Sequence, residues 1–306
     1  MMRIAVVGPG GVGGYFGGVL ARADHEVVLI ARGEHLQALQ EKGLKVRSHH
    51  HGVFQIDLRA SGDPTEVGPV DLVLFTVKTY HNAEAVPLIQ PLVGPGTAVL
   101  SLQNGVESHR QLAEIVDEGQ VFTGAAYIES GVAAPGVIRQ NGEVVRIVFG
   151  HPGGEEKDRS LEIMEALAEA GIETEIAPDV MKALWSKFVF IAALAGPTTA
   201  ARQEMHQLLE FSEGRDLVMA VLREAESVGR AVGTSLDEDL FDRTMSYIDG
   251  YARDLHASMH TDLERGNPLE LEALNGAVVR LGREAGVATP MNQCIYALLK
   301  PYAPGG

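Results

Sequence analysis

Residues 3–33 read RIAVVGPGGVGGYFGGVLARADHEVVLIARG, and the fold is decided here. Arg3 to Val7 is a β-rich run that stops at glycine, Val12 to Ala23 has helical texture, and Glu26 to Ile30 is a second β-rich run. Strand, turn, helix and strand within about 30 residues make a βαβ unit. The connecting Gly8-Pro9-Gly10-Gly11-Val12-Gly13 matches G-x-G-x-x-G. In that pattern the first glycine permits a tight turn, the second lets backbone approach a pyrophosphate, and the third lets helix and strand pack closely. The helix N-terminus then offers N–H groups and partial positive charge to the anion. A glycine turn alone is weak evidence. Placed directly after a strand and opening a helix, Gly8 to Gly13 predict a dinucleotide site.

The end of the second strand indicates which dinucleotide. An NAD-type site usually places Asp or Glu there, about 20 residues past the first glycine, to hold the ribose 2′-OH. Here the chain reads Leu29-Ile30-Ala31-Arg32-Gly33, with no acid between Glu26 and Glu34. Arg32 suits a 2′-phosphate, so NADP(H) is preferred over NAD(H); the alternative is a solvated loop arginine.

Outward from this unit, Asp71 to Val77, Ala98 to Leu102, Val121 to Tyr127, Val144 to Phe149 and Ile172 to Ile176 read as strands. His35 to Lys42, His109 to Glu118 and Arg159 to Ala170 read as helices among them. Gly131 to Gly150, with Pro135-Gly136 and Asn141-Gly142, reads as an antiparallel hairpin. After Pro178 only helical patterns follow: Asp179 to Leu194, Met205 to Ala231, Leu236 to His256, Pro268 to Ala285 and Pro290 to Lys300. The expectation is an α/β Rossmann-type dinucleotide-binding domain over residues 1–178 and an all-α domain over residues 179–306. A cleft between two such domains is a favoured ligand site.

Composition narrows the function classes. With 306 residues, 45% hydrophobic and 22% charged, the chain is an ordinary globular one of two-domain size. The net charge of −16 argues against nucleic acid, which needs a basic face. The longest apolar run, Trp185 to Gly196, is short for a membrane span and carries Lys187. No charged leader or cleavage site is visible at the start, and Cys294 is the lone cysteine, so a reducing, cytoplasmic setting is expected. Cys294 itself reads as a small buried hydrophobe of the last helix.

Local chemistry singles out a few polar residues. Lys78 ends the run Leu72 to Val77, and Asn104 follows Ala98 to Leu102 in the turn Gln103-Asn104-Gly105. Both fall at the C-terminal edge of predicted parallel strands, where open α/β sheets bind ligands. Lys187 lies inside a helix apolar on almost every face. It must snorkel, pair or line a cleft, and desolvation there lowers its pKa toward that of a proton donor. Asn267-Pro268-Leu269-Glu270 reads as a helix start, with Asn as N-cap and Glu270 as a capping-box carboxylate. Ser258 carries no signal by itself. His49-His50-His51 reads as a solvated loop, because adjacent ligands cannot share one face of a strand, and no metal site is expected.

Taken in order, these pieces resemble the ketopantoate reductase family (2-dehydropantoate 2-reductase). They are Gly8 to Gly13, Ala31-Arg32-Gly33, Thr76-Val77-Lys78, Leu102-Gln103-Asn104-Gly105, Trp185-Ser186-Lys187, and Ser258-Met259 with Asp262, Gly266, Glu270 and Asn275-Gly276. The resemblance implies an NADPH-dependent reductase of a small 2-keto acid, 2-dehydropantoate foremost, acting in pantothenate biosynthesis. It implies that Gly8, Pro9, Gly10, Gly11, Val12, Gly13 and Arg32 bind the cofactor, with Lys78 and Asn104 near its nicotinamide ribose. Lys187 would be the general acid, Ser258 would hold the substrate carboxylate, and Glu270 would contact cofactor and substrate, a role that can coexist with capping. A homodimer through the helical domain is a further expectation.

One departure stands out. Where the family carries substrate-binding asparagines one and two turns after the lysine, this chain has Ile191 and Ala195. An apolar pair cannot hydrogen-bond a substrate hydroxyl. The alternatives are therefore a reductase of a more apolar keto acid, or a non-catalytic NADPH-sensing protein.

Overall fold

Val, Ile and Leu fill the opening strands because both faces of a parallel sheet are covered by helices, so no polar alternation is required. The computed structural model describes residues 1–154 and 157–305. It divides into two compact units, Met1–Gln103 with Glu107–Ala183, and Asn104–Val106 with Leu184–Gly306.

In the first unit ten strands join in one sheet among the described residues. β1 (Arg3–Val7) pairs in parallel with β2 (Glu26–Ile30) on one side and β6 (Leu72–Phe75) on the other. β7 (Ala98–Ser101) and β8 (Val121–Ala134) extend the parallel series, and β9 (Val137–Gly150) returns antiparallel to β8. β3 (Leu44–Ser48), β4 (Gly52–Ile56), β5 (Arg59–Ser61) and β10 (Glu173–Ile176) complete it. Helices α1 (Gly11–Arg22), α2 (Gly33–Lys42), α3 (Asn82–Ala85), α4 (Ser108–Ala113) and α5 (Lys157–Glu169) cover the faces.

Ile4 and Val6 enter one core with Tyr15, Phe16 and Leu20 of α1. Ala5 and Val7 enter the other with Ala85, Val86, Ile89 and Leu112. Phe16 and Leu20 are fully buried, each stabilising the unit by about 1.5–3 kcal/mol. α1 can lie this close because glycines face the sheet. A Cβ on Gly17 would stand 3.0 Å from Val6, and one on Gly18 3.1 Å from Leu44 and Val46.

The β8–β9 hairpin turns at Pro135-Gly136, as the sequence predicts, with Gly136 at φ +73°. Asn141-Gly142 is no turn. The pairing jumps from Ile128–Val145 to Glu129–Asn141, so residues 142–144 bulge out of the strand. The buried Gln140 steadies the bulge by donating to the Gly142 carbonyl at 2.9 Å, while its Oε1 accepts from the Ser48 hydroxyl at 2.8 Å. β3, β4 and β5 were not anticipated. His49, His50 and His51 form the turn between β3 and β4.

The second unit is helical: α6 (Val180–Ala201), α7 (Met205–Leu208), α8 (Ser212–Ala231), α9 (Leu240–Tyr251), α10 (Ser258–Glu264), α11 (Asn275–Ala285) and α12 (Pro290–Leu299). α6 opens at the end of the first unit and runs on into the second. Val218, Val221, Leu222, Ala225 and Val228 make the buried stripe of α8 at helical spacing. Its Gly229 receives the Trp185 ring, since a Cβ there would fall 2.8 Å from that ring.

Four sequence expectations are corrected. The pattern over Met205 to Ala231 breaks, because Phe211 is extended and starts α8 anew. α6 outruns Trp185 to Gly196, and its 22 residues meet the length and composition of a membrane span, yet 61% of its most apolar window is buried in the protein. Cys294 is exposed, since the inward face of α12 is Asn292, Ile295 and Leu299. Asn267 caps no helix. Its amide donates to Asp262 at 3.1 Å, Glu270 opens a short 3-10 turn (Glu270–Glu272), and α11 begins only at Asn275.

Candidate active site

The glycine loop is built from the end of β1. Gly8 adopts φ +85°, a left-handed conformation that admits glycine readily, and its N–H donates to the Ile30 carbonyl at 3.1 Å. A Cβ on Gly13 would stand 2.1 Å from Thr76 Oγ1 and 2.7 Å from the Gly8 carbonyl, so β1, β6 and α1 meet where only hydrogen fits. Thr76 Oγ1 donates to the Gly8 carbonyl at 2.8 Å and fixes the turn. A Cβ on Gly11 would stand 2.6 Å from the Ser130 carbonyl.

Gly10 differs. A Cβ there would find nothing nearer than the Gly8 carbonyl at 4.0 Å. The protein's own packing does not require glycine at 10, whereas a pyrophosphate lying against the backbone does. No side chain caps α1 and no acid occupies its first turn, so its leading N–H groups are available to an anion. Pro9 is buried behind the loop and Val12 half-buried on α1. These residues fit a dinucleotide.

His35 braces the loop. The Gly136 N–H donates to its Nδ1 at 3.1 Å, so the ring proton sits on Nε2, which donates to the Pro9 carbonyl at 2.9 Å. Burial holds the His35 pKa below its ordinary value, against the opposing pull of the Pro9 bond, and so favours this neutral form. An isolated histidine leaves no periodic trace, and sequence reasoning missed it.

Arg32 stands at the end of β2 as the extended residue before α2. It is exposed and not simply solvated: one terminal nitrogen donates to Glu84 of α3 at 2.9 Å, and the other lies 2.8–3.0 Å from the ring nitrogens of His81. Lys78 is half-buried just past β6, before the 3-10 turn Thr79–His81. The loops after β6 and β7 are tied by Gln103, whose amide donates to the Val77 carbonyl at 2.7 Å and to Asn82 at 2.6 Å.

In the second unit the structure brings Lys187, Asn104 and Glu270 together. Lys187 is half-buried on α6, and its Nζ donates to Asn104 Oδ1 at 3.1 Å. Desolvation pushes its pKa down to about 8, while the charge of Glu270 opposes the fall. Glu270 is 5% exposed, far more deeply placed than a capping residue. The snorkelling alternative for Lys187 therefore gives way to a paired ammonium. Phe190 and Ile191, three and four residues on, are the half-exposed apolar neighbours on the same helix face, whereas Ala195 is buried. Ser258 is exposed as the first residue of α10.

Residues 4–154 match the family described as ketopantoate reductase PanE/ApbA, and residues 179–303 match its C-terminal domain. The chain belongs to the ketopantoate reductase family. A 2-dehydropantoate 2-reductase from Mesorhizobium japonicum is 31% identical, over 99% of this chain and 98% of its own. The crystal structure of a PanE/ApbA family ketopantoate reductase from Ralstonia eutropha JMP134 is 31% identical with a TM-score of 0.90, covering 99% of this chain and 98% of that one. The fold also recurs, at 24% identity and a TM-score of 0.91, in D-mandelate dehydrogenase, over 99% of this chain and 98% of that chain. The protein is thus a nicotinamide-dependent oxidoreductase acting on a CH–OH group, of the kind that reduces a small keto acid.

Proposed function

We propose that this protein reduces a 2-keto acid, 2-dehydropantoate first among candidates, with NADPH as reductant and Lys187 as proton donor. The observation that carries the reading is the half-buried Lys187 ammonium, tied to Asn104, countered by Glu270 and tuned to about 8. A bound nicotinamide dinucleotide would supply the hydride. The backbone from Gly8 to Gly13 and the uncapped α1 would hold its pyrophosphate, and Arg32 its 2′-phosphate.

Lys187 gives its proton to the ketone oxygen as negative charge develops there. Asn104 fixes the ammonium by accepting through Oδ1, which leaves its Nδ2 end to donate to ribose or substrate. The Glu270 carboxylate opposes the desolvation of Lys187, whose pKa of about 8 leaves it protonated at neutral pH. Ser258 takes the substrate carboxylate, and Lys78 the ribose. A cytoplasmic setting suits a chain whose single cysteine allows no internal disulfide.

A second reading of the substrate is favoured by Phe190 and Ile191, which flank Lys187 on its half-exposed face. They offer dispersion contact and no hydrogen bond, which suits an apolar keto acid better than a hydroxylated one. Following NADPH oxidation by the purified protein over a panel of 2-keto acids tests both readings. Tight NADPH binding without turnover of any keto acid would replace them with a sensor.

A further inference from the structure

We propose that Glu84 is a specificity-determining residue of the dinucleotide site, competing with the 2′-phosphate for Arg32 and supplying a carboxylate for an unphosphorylated ribose. The inference rests on the reading that Arg32 faces the ribose 2′ position. It predicts that the wild-type site accepts both NADPH and NADH.

The geometry is specific. Both terminal nitrogens of Arg32 are engaged by side chains of its own unit, Glu84 at 2.9 Å and His81 at 2.8–3.0 Å. A phosphate reaching that guanidinium must either displace Glu84 or settle beside its carboxylate. Glu84 and Arg32 are 69% and 67% exposed, so their pair is weak and reversible. Like charge close to a phosphate dianion is nonetheless unfavourable, by about threefold to tenfold in affinity at modest salt.

The same carboxylate is an asset to the other dinucleotide. An NAD-type site places an acid at the end of the second strand to accept the ribose 2′-OH. Here arginine follows that strand two residues on, and the acid comes from α3 to the same guanidinium. The pair therefore presents either charge: Arg32 to a phosphate once Glu84 is released, or Glu84 to a hydroxyl.

Calorimetric dissociation constants for NADPH, NADH, 2′,5′-ADP and 5′-AMP test this on wild-type protein, Glu84→Gln and Arg32→Ala. Glu84→Gln is expected to tighten NADPH and 2′,5′-ADP about threefold to tenfold at low salt and to weaken NADH about threefold. Arg32→Ala should weaken NADPH at least tenfold and leave NADH nearly unchanged. The Glu84→Gln gain should shrink as salt rises. A Glu84→Gln protein that shifts both dinucleotides by the same factor, or neither, overturns the assignment and leaves the dinucleotide site standing. Failure of either dinucleotide to bind wild-type protein removes the site itself.

Discussion

Replacing Lys187 tests the proposed chemistry most directly, because burial lowers its pKa and so bears on both catalysis and stability. Its pKa of about 8, against an ordinary 10.5, means the folded protein disfavours the ammonium by ~3 kcal/mol. At pH 7 about nine-tenths of the lysine is still protonated, and it is a far better acid than an ordinary lysine. The pH profile of kcat/KM should run level at neutral pH, break near 8 and fall about tenfold per unit above it. Lys187→Ala should lose about 10²-fold or more in kcat and lose the break as well. Glu270→Gln removes the charge that raises the pKa and should move the break to lower pH.

Stability supplies an independent reading of the same group. The folded pKa lies below the unfolded one, so unfolding takes up a proton between about 8 and 10.5, and wild-type stability rises with pH across that window. Lys187→Met should therefore be more stable by about 1–3 kcal/mol at pH 7, allowing for the solvent a half-buried chain still meets, and the gain should vanish above 10.5. Urea denaturation at pH 7 and pH 10.5 measures it. Near-normal turnover in Lys187→Ala, or a wild-type profile with no break near 8, would refute the reasoning.

Two glycine substitutions should separate folding from binding. Gly13→Ala forces a methyl to within 2.1 Å of Thr76 Oγ1 and should cost about 1–3 kcal/mol, seen as a lower Tm. Gly10→Ala meets nothing nearer than the Gly8 carbonyl at 4.0 Å, so Tm should hold while the Kd for NADPH rises at least tenfold; an unchanged Kd would remove the pyrophosphate from this loop. His109 of α4 is held neutral, its pKa pushed down to about 4 by burial and, secondarily, by Arg110. Its contribution is complete above about 6.5 and is lost as pH falls through about 4, so His109→Gln should flatten the acid loss of stability by about 1–3 kcal/mol in denaturation at pH 7 and pH 4. Ile191→Asn should raise kcat/KM for a hydroxylated 2-keto acid about tenfold or more relative to an apolar one, and no change in that ratio would exclude Ile191 from substrate contact.

What the sequence disclosed was set by how sharply each residue broke its surroundings. Lys187 interrupts an apolar helix, and Arg32 follows a strand where an acid is usual, so both stand out as candidates in the sequence alone. Glu270 misled because Asn267-Pro268-Leu269-Glu270 has the composition of a helix start. Only the tertiary structure sends Asn267 to Asp262 and delays the helix to Asn275. β3 alternates buried Leu44 and Val46 with Lys45 and Arg47 over only five residues, a strand signal too short to stand out, and β4 lies exposed at the sheet edge. His35, His81 and Glu84 act through residues distant in sequence, and nothing in their own neighbourhoods marks them. The Asn141-Gly142 bulge borrows the residues of a turn because both need a glycine at positive φ.

Asn104 to Val106 follow a strand of the first unit and yet belong with the helices of the second. The side chain that accepts from Lys187 is thus encoded more than eighty residues upstream of it. A chimera that joins this N-terminal half to a relative's C-terminal half would inherit Asn104 from one parent and its lysine from the other. If Lys187 is the proton donor, such a chimera should keep its activity only where that pair is matched, because a crossover near residue 183 separates the two residues.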